Sequence, residues 1–210
     1  MESILDQAEA LFADAGFNGV TVNEVARAAG VDTALVRYYF GDKGRLFAAV
    51  VDRHSTTINM ERLKALEDYR NSAGDGFCLE GVIRAFTEPA FIRMQENASY
   101  RNYGIIIGYV NATHADYKRL MAKNFDQVSA VLIDDMKRLL PDAQEEDIYW
   151  GYHFLTGAFT FSLAQTGRID SLSDGLCQSA DLQAISDRLP ETLAAGIRAM
   201  CAQRARERAT

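Results

Sequence analysis

Positive charge is scarce in this chain, and so are proline, cysteine and histidine. Lysine and arginine number 22 against 29 aspartates and glutamates, a formal net charge of −7. A protein that coats nucleic acid regardless of sequence needs a basic surface, because phosphate neutralisation supplies that affinity. The acidic balance argues against that class. Three prolines in 210 residues, with abundant Ala, Leu, Glu and Arg, favour an all-α chain. The cysteines, Cys78, Cys177 and Cys201, are odd in number and widely spaced, with no C-x-x-C. That pattern argues against a disulfide scaffold and for a reducing cytosol. The histidines are His54, His114 and His153. A metal site of His114, His153 and Asp116 has no ligand spacing in its favour, so no metal and no cofactor are expected. No phosphate-binding loop, dinucleotide fingerprint, H-E-x-x-H or G-x-S-x-G occurs, which points away from an enzyme. The most apolar run, residues 104–110, is too short to span a membrane. No basic-then-apolar secretion signal opens the chain. A cytoplasmic location without membrane contact is the expectation.

The dense information lies in residues 21–46, TVNEVARAAGVDTALVRYYFGDKGRL. Before it, Ile4, Leu5, Ala8, Leu11 and Phe12 recur at helical spacing, which predicts a helix over 3–15. Thr21 followed by Glu24 is a capping box for a second helix. Ala28-Ala29-Gly30 is a turn of small residues, where two helices cross closely and Gly30 takes a left-handed backbone. Asp32 caps a third helix running through Tyr39. This order is the layout of a helix-turn-helix reader of DNA. The third helix would place Thr33, Ala34, Arg37 and Tyr38 in the major groove, with Leu35, Val36 and Phe40 mainly in the core. Tyr38 and Tyr39 are candidate donors to phosphate. Asp42 caps a fourth helix, and Lys43 in its first turn opposes the helix dipole, a cost that a phosphate partner would offset.

The segment resembles the DNA-binding domain of the TetR family of bacterial transcriptional regulators. The likeness runs through Ile4-Leu5, Ala8, Leu11-Phe12, Gly16-Phe17, Thr21-Val22, Val25-Ala26, Ala29-Gly30-Val31, Tyr39-Phe40, Lys43 and Leu46. The resemblance implies that Thr21, Tyr39 and Lys43 contact phosphate and that Thr33, Ala34 and Tyr38 lie on the recognition helix. Two departures stand out. Asp32 occupies a position where the family commonly has serine or threonine, and the basic arm that many members carry before the first helix is missing. Either the head makes few phosphate contacts or the native chain begins upstream of Met1. The first 50 residues hold four basic side chains (Arg27, Arg37, Lys43, Arg45) against seven acidic ones.

The expected organisation is a helix-turn-helix domain over 1–47 and a larger helical effector-binding and dimerisation domain over 48–210. In the body, helices are expected over 42–70, 77–86, 91–98, 101–110, 115–140, 147–166 and 192–208. Glu88-Pro89 breaks one of them, Pro190 stands near the start of the last, and 111–114 and 168–187 are loop-rich. The helices over 147–166 and 192–208 carry more apolar surface than a small bundle needs. The resemblance assigns them to a homodimer interface, and a two-fold dimer presents two recognition helices to a palindromic site. Large rings and mid-sized polar groups in the middle helices suggest a ligand cavity. The candidates are Phe86, Phe91, Met94, Asn97, Tyr100, Tyr103, Phe125, Trp150, His153 and Phe154, with Tyr109 and Gln127 beside them.

The leading reading is therefore a ligand-responsive, dimeric transcriptional regulator. It would be a repressor released from a double-stranded DNA operator by a small hydrophobic or aromatic effector. The alternative is a small-molecule-binding or protein-interaction module with weak or vestigial DNA binding. A positive strip around Arg27, Arg37, Lys43 and Arg45 would separate the two. A helical enzyme using the cavity is a third reading, which would need converging titratable groups.

Overall fold

Side-chain caps and glycine exits punctuate the first 45 residues. The computed structural model describes residues 1–111 and 118–208. Helix α1 (Glu2–Ala15) ends at Gly16. Helix α2 (Val22–Ala28) begins at a complete capping box: Thr21 Oγ1 accepts from the Glu24 amide at 3.2 Å, and Glu24 Oε2 accepts from the Thr21 amide at 2.7 Å. Gly30, at φ 67°, turns the chain back. Asp32 Oδ1 then accepts from the Ala34 amide at 2.7 Å and caps α3 (Thr33–Phe40). Asp42 does the same for α4 (Lys43–Ser72) through the Arg45 amide at 2.8 Å. These bonds satisfy amides that a helix start leaves without partners.

Helix α4 has 30 residues and so reaches roughly 45 Å. Its first turns close the head core, where the Phe47 ring meets Phe12 edge-on at 5.0 Å and Phe17 at 5.1 Å. Its later turns pack against α5 (Leu79–Glu96) and α7 (Lys118–Leu139). The far end is tied down by Arg70, whose Nε and Nη2 donate to the two oxygens of fully buried Asp135 at 3.0 and 2.8 Å. Helix α6 (Ala98–Asn111) lies against both α1 and α8 (Glu145–Leu163). After the short α9 (Arg168–Leu172), α10 (Leu182–Arg208) returns along α5 and α8. The chain is all-α, with a helix-turn-helix head and a larger helical body.

Several boundaries differ from the sequence expectation, for physical reasons. Pro89 does not split its helix: α5 is continuous from Leu79 to Glu96. Phe86 and Ala90, Phe91 and Met94 are buried on either side of the proline, so packing holds the helix together through the missing amide. The Thr87 hydroxyl also donates to the Ile83 carbonyl at 2.9 Å. Pro190 likewise lies inside a helix, not in its first turn, because α10 starts ten residues earlier than 192. Asp181 Oδ1, accepting from the Ala184 amide at 2.9 Å, supplies a start signal that the sequence reading passed over. The stretch between α8 and α10 is loop-rich apart from α9. The turn expected over 111–114 and the start of the helix expected at 115 lie largely outside the described residues, as do His114 and Asp116. Among the described residues no helix is long and apolar enough to cross a membrane, and no cluster of His, Cys, Asp or Glu has metal-site geometry.

The α5–α10 contact carries a titratable tie. Arg198 makes two hydrogen bonds to the Glu80 carboxylate, which hold its pKa down to about 2 against a burial effect that pushes it up. A depressed folded value makes this contribution complete above the ordinary carboxylate value. It drains away as pH falls toward 2. Thermal unfolding followed between pH 6 and pH 3 should show the Glu80→Gln variant losing less of its melting temperature than the parent. Parallel losses would contradict the assignment.

Candidate nucleic-acid interface and internal cavity

The head presents one helix outward. In α3 only Val36 is fully buried, while Ala34, Leu35, Arg37, Tyr38 and Tyr39 are exposed and Thr33 is half-buried. Leu35, expected mainly as core, is 39% exposed and joins this face. Tyr38 is 81% exposed, and its ring stands 5.4 Å from that of Tyr39. An uncovered tyrosine pair on a capped helix is a ready donor to a phosphate or base edge. Arg27 and Arg37 are exposed.

Three head residues are engaged within the protein. The Lys43 ammonium donates to the Phe17 and Val20 carbonyls at 3.0 Å each and lies 4.3 Å from the centre of the Phe17 ring. Its charge therefore ties the α1–α2 connection to α4. Arg45 lies 3.9 Å from Asp42. The Thr21 hydroxyl donates to Glu24 Oε2 at 2.7 Å, and this bond holds the Glu24 carboxyl below its ordinary value. The Thr21 hydroxyl proton is thus already committed to Glu24.

Between head and body lies a buried polar junction. His54 on α4 meets Glu9 Oε2 on α1 at 2.8 Å and Ser99 Oγ on α6 at 2.9 Å. Ser99 also donates to Glu9 Oε1 at 2.5 Å. Glu9 is 1% exposed. Arg53 approaches the same carboxylate at 3.7 Å and forms an ion pair with Asp6 at 2.7 Å. Buried polar groups carry a penalty unless paired, so the three elements meet in one register.

The body encloses a cavity of about 90 Å3 among α4, α5, α6, α7 and α8. Phe86, Met94, Tyr103 and Phe125 line it, with Arg62, Met121, Ser129, Tyr152 and Phe159. The Arg62 guanidinium stacks at 4.8 Å from the Phe86 ring centre and 5.1 Å from that of Phe159. Burial lowers its pKa to about 10. Burial pushes the Tyr103 phenol up, so the hydroxyl stays protonated. Tyr152 and Ser129 hydroxyls pair at 2.8 Å.

The other expected lining residues sit elsewhere. Phe91 is buried edge-on to Phe159 at 5.4 Å, behind the wall. Tyr100 packs on His54 at 4.3 Å, in the junction. Asn97 is exposed and its Oδ1 accepts from the Ser99 amide at 2.8 Å. Tyr109 and Gln127 are exposed. Trp150, His153 and Phe154 lie exposed on the outer side of α8, with Trp150 stacked on Phe154 and edge-on to His153. Helix α8 is apolar nearly all round, so periodicity does not say which stripe faces inward. The inward one carries Ile148, Leu155, Phe159 and Leu163. Sequence reasoning passed over Arg62, although Ile58, Arg62 and Leu66 share one stripe at spacings of four, the signal that places it inside. The outer stripe of Trp150, Phe154 and Phe161 (49%, 52% and 64% exposed) is an uncovered aromatic surface beside α10.

An outward recognition helix on a capped three-helix head, joined by one long helix to a cavity-bearing helical body, defines a helix-turn-helix regulator. Residues 4–50 match the family description "Bacterial regulatory proteins, tetR family", and residues 84–196 match "Tetracyclin repressor-like, C-terminal domain". The chain belongs to the TetR family, a class of DNA-binding transcription regulators. It is 28% identical over 129 residues to the HTH-type transcriptional regulator BetI of Stenotrophomonas maltophilia strain R551-3, an alignment covering 61% of this chain. The chain spans about 63% of that relative's length. Among solved structures it resembles HlyIIR, a hemolysin II transcriptional regulator, with TM-score 0.61, 17% identity and coverage of 92% of this chain and 96% of that one. It also resembles FadR from Bacillus subtilis in complex with stearoyl-CoA, with TM-score 0.59, 15% identity and coverage of 93% and 98%. At these identities the structural likeness is one of fold.

Lys43→Met should lower stability by about 2 kcal/mol, because it strips two carbonyls of a charged donor. Thr21→Ala should cost about 1 kcal/mol through the lost cap. Urea unfolding checks both, and a loss within about 0.5 kcal/mol for Lys43→Met, as for an ordinary surface site, would contradict its tying role.

Proposed function

We propose that this chain is a homodimeric regulator that reads a palindromic DNA operator and is released from it by a small effector. Residues 1–47 act as the reading head and residues 48–210 as the effector-binding and dimerisation body, in the cytoplasm where the DNA is. The observation that carries the reading is the exposed face of α3, with Thr33, Ala34, Arg37, Tyr38 and Tyr39 around one buried anchor, Val36. Arg27, Arg37 and Arg45 supply the accessible cations. The aromatic stripe of α8 with α10 forms the dimer surface, since an exposed apolar patch of this kind marks an interaction site. A cavity of about 90 Å3 suits a small effector rather than a long acyl-CoA. Effector entry separates the cavity walls, moves α4 and changes the spacing of the heads, which is a coupling between two distinct sites.

A second reading, an effector-binding module with weak DNA affinity, is favoured by the engagement of Lys43 with the Phe17 and Val20 carbonyls inside the head. Selection from randomised duplex DNA decides between them. The regulator reading predicts a palindromic consensus whose log K falls steeply with log salt. Arg37→Ala should reduce that slope by about 0.9 per lost phosphate contact, or relax one base position if the contact is to a base. Phe154→Glu should yield monomers by sedimentation and abolish selection of the palindrome. No enrichment at low salt would leave the second reading standing.

A further inference from the structure

Arg62 is 4% exposed, and among the described residues no carboxylate pairs with it. Nη1 donates to Asn59 Oδ1 at 3.1 Å. Nε has no hydrogen-bond partner, and neither does the buried Tyr103 hydroxyl. Both side chains line the cavity. The guanidinium lowers the Tyr103 phenol's pKa, but the larger effect of burial raises it, so the hydroxyl remains a neutral donor beside the cation. A buried guanidinium with an unmet N–H is costly, and two orphaned donors on one apolar cavity describe the complement of an acceptor-rich ligand.

We propose that the effector is a small organic monocarboxylate. Its carboxylate pairs with Arg62 and accepts from the Tyr103 hydroxyl, while its apolar body lies against Phe86, Phe159 and Met94. This identification rests on the effector reading above. A planar guanidinium matches a carboxylate in shape and charge. One buried cation balances one negative charge, whereas a phosphate dianion leaves a charge uncompensated in an apolar wall. A neutral ligand leaves the guanidinium unbalanced. The cavity is smaller than the roughly 150 Å3 that admits benzene in a dry interior. The ligand body is therefore short, and its entry displaces the pliable side chains of Met94 and Met121. Because Arg62 is on α4, the ligand's charge acts on the helix that reaches the head.

Calorimetric titration of the full-length dimer with hexanoate, benzoate, hexanamide, benzamide and inorganic phosphate tests the proposal. An acid should bind at least tenfold more tightly than its own amide, and phosphate should not compete. Arg62→Met should abolish the preference while leaving the melting temperature of the unliganded protein equal or higher, since it removes an unbalanced buried charge. Tyr103→Phe, a smaller change, should weaken acid binding severalfold and leave amide binding unaltered. Equal affinity for acid and amide, binding of neither acid, competition by phosphate, or an acid preference that survives both substitutions would overturn it. Acid binding by a protein that selects no operator keeps the carboxylate site and removes the regulator reading. Operator selection without acid binding does the reverse.

Discussion

The rest of the structure depends on α4 belonging to two cores at once. Its first turns complete the head through Leu46, Phe47, Val50 and Val51, and later residues of the same rod, Ile58, Arg62 and Leu66, are walls of the body. A continuous helix transmits displacement because its backbone bonds resist bending within a turn. Yet a lever acts only if both ends are gripped. The near grip is Glu9–His54–Ser99, where α1, α4 and α6 share one buried hydrogen-bond cluster. The far grip is the two-pronged Arg70–Asp135 pair with α7. Between them, Asn59 Nδ2 donates to the Asn124 carbonyl at 2.6 Å.

Polar groups in these positions are expensive to bury, and apolar packing of the same volume is often at least as stable. Their value lies in register. An apolar contact between helices tolerates sliding, whereas a carboxylate shared by an imidazole and a hydroxyl does not. Arg62 follows a different logic. It is buried like the junction groups but its donors are not all met, so it marks a place where the fold is prepared for something else to bind. The Glu9–His54–Ser99 hydrogen bonds therefore position the head, and a guanidinium with no carboxylate beside it faces the cavity.

What was legible in the sequence was mostly local. The Thr21–Glu24 box and the Asp32 and Asp42 caps involve partners within three residues, so spacing alone reveals them. The alternation of capped helices and glycine exits then gives the head and the all-α class. What was not legible depends on distant partners. The Phe17 and Val20 carbonyls that Lys43 bonds lie more than twenty residues away, so no local pattern reveals them. Pro89 reads as a break and Pro190 as a residue near a helix start, until the fold shows both inside continuous helices. The α8 rings divide between an inner and an outer stripe that hydrophobicity alone does not distinguish, which sent Trp150, His153 and Phe154 to the cavity on paper and to the surface in the fold.

The central claim is that the junction sets where the heads stand. Pulsed electron spin resonance tests it most directly, with one label per protomer at exposed position 23 and the native thiols replaced. The dimer would be compared with a variant carrying Glu9→Leu, His54→Leu and Ser99→Ala, which keeps the junction packed but removes its hydrogen bonds. The account predicts a narrow head-to-head distance in the first and a broadened distribution in the second, together with weaker operator binding although no residue of α3 has changed. An equally narrow distance and unaltered affinity in the variant would contradict it.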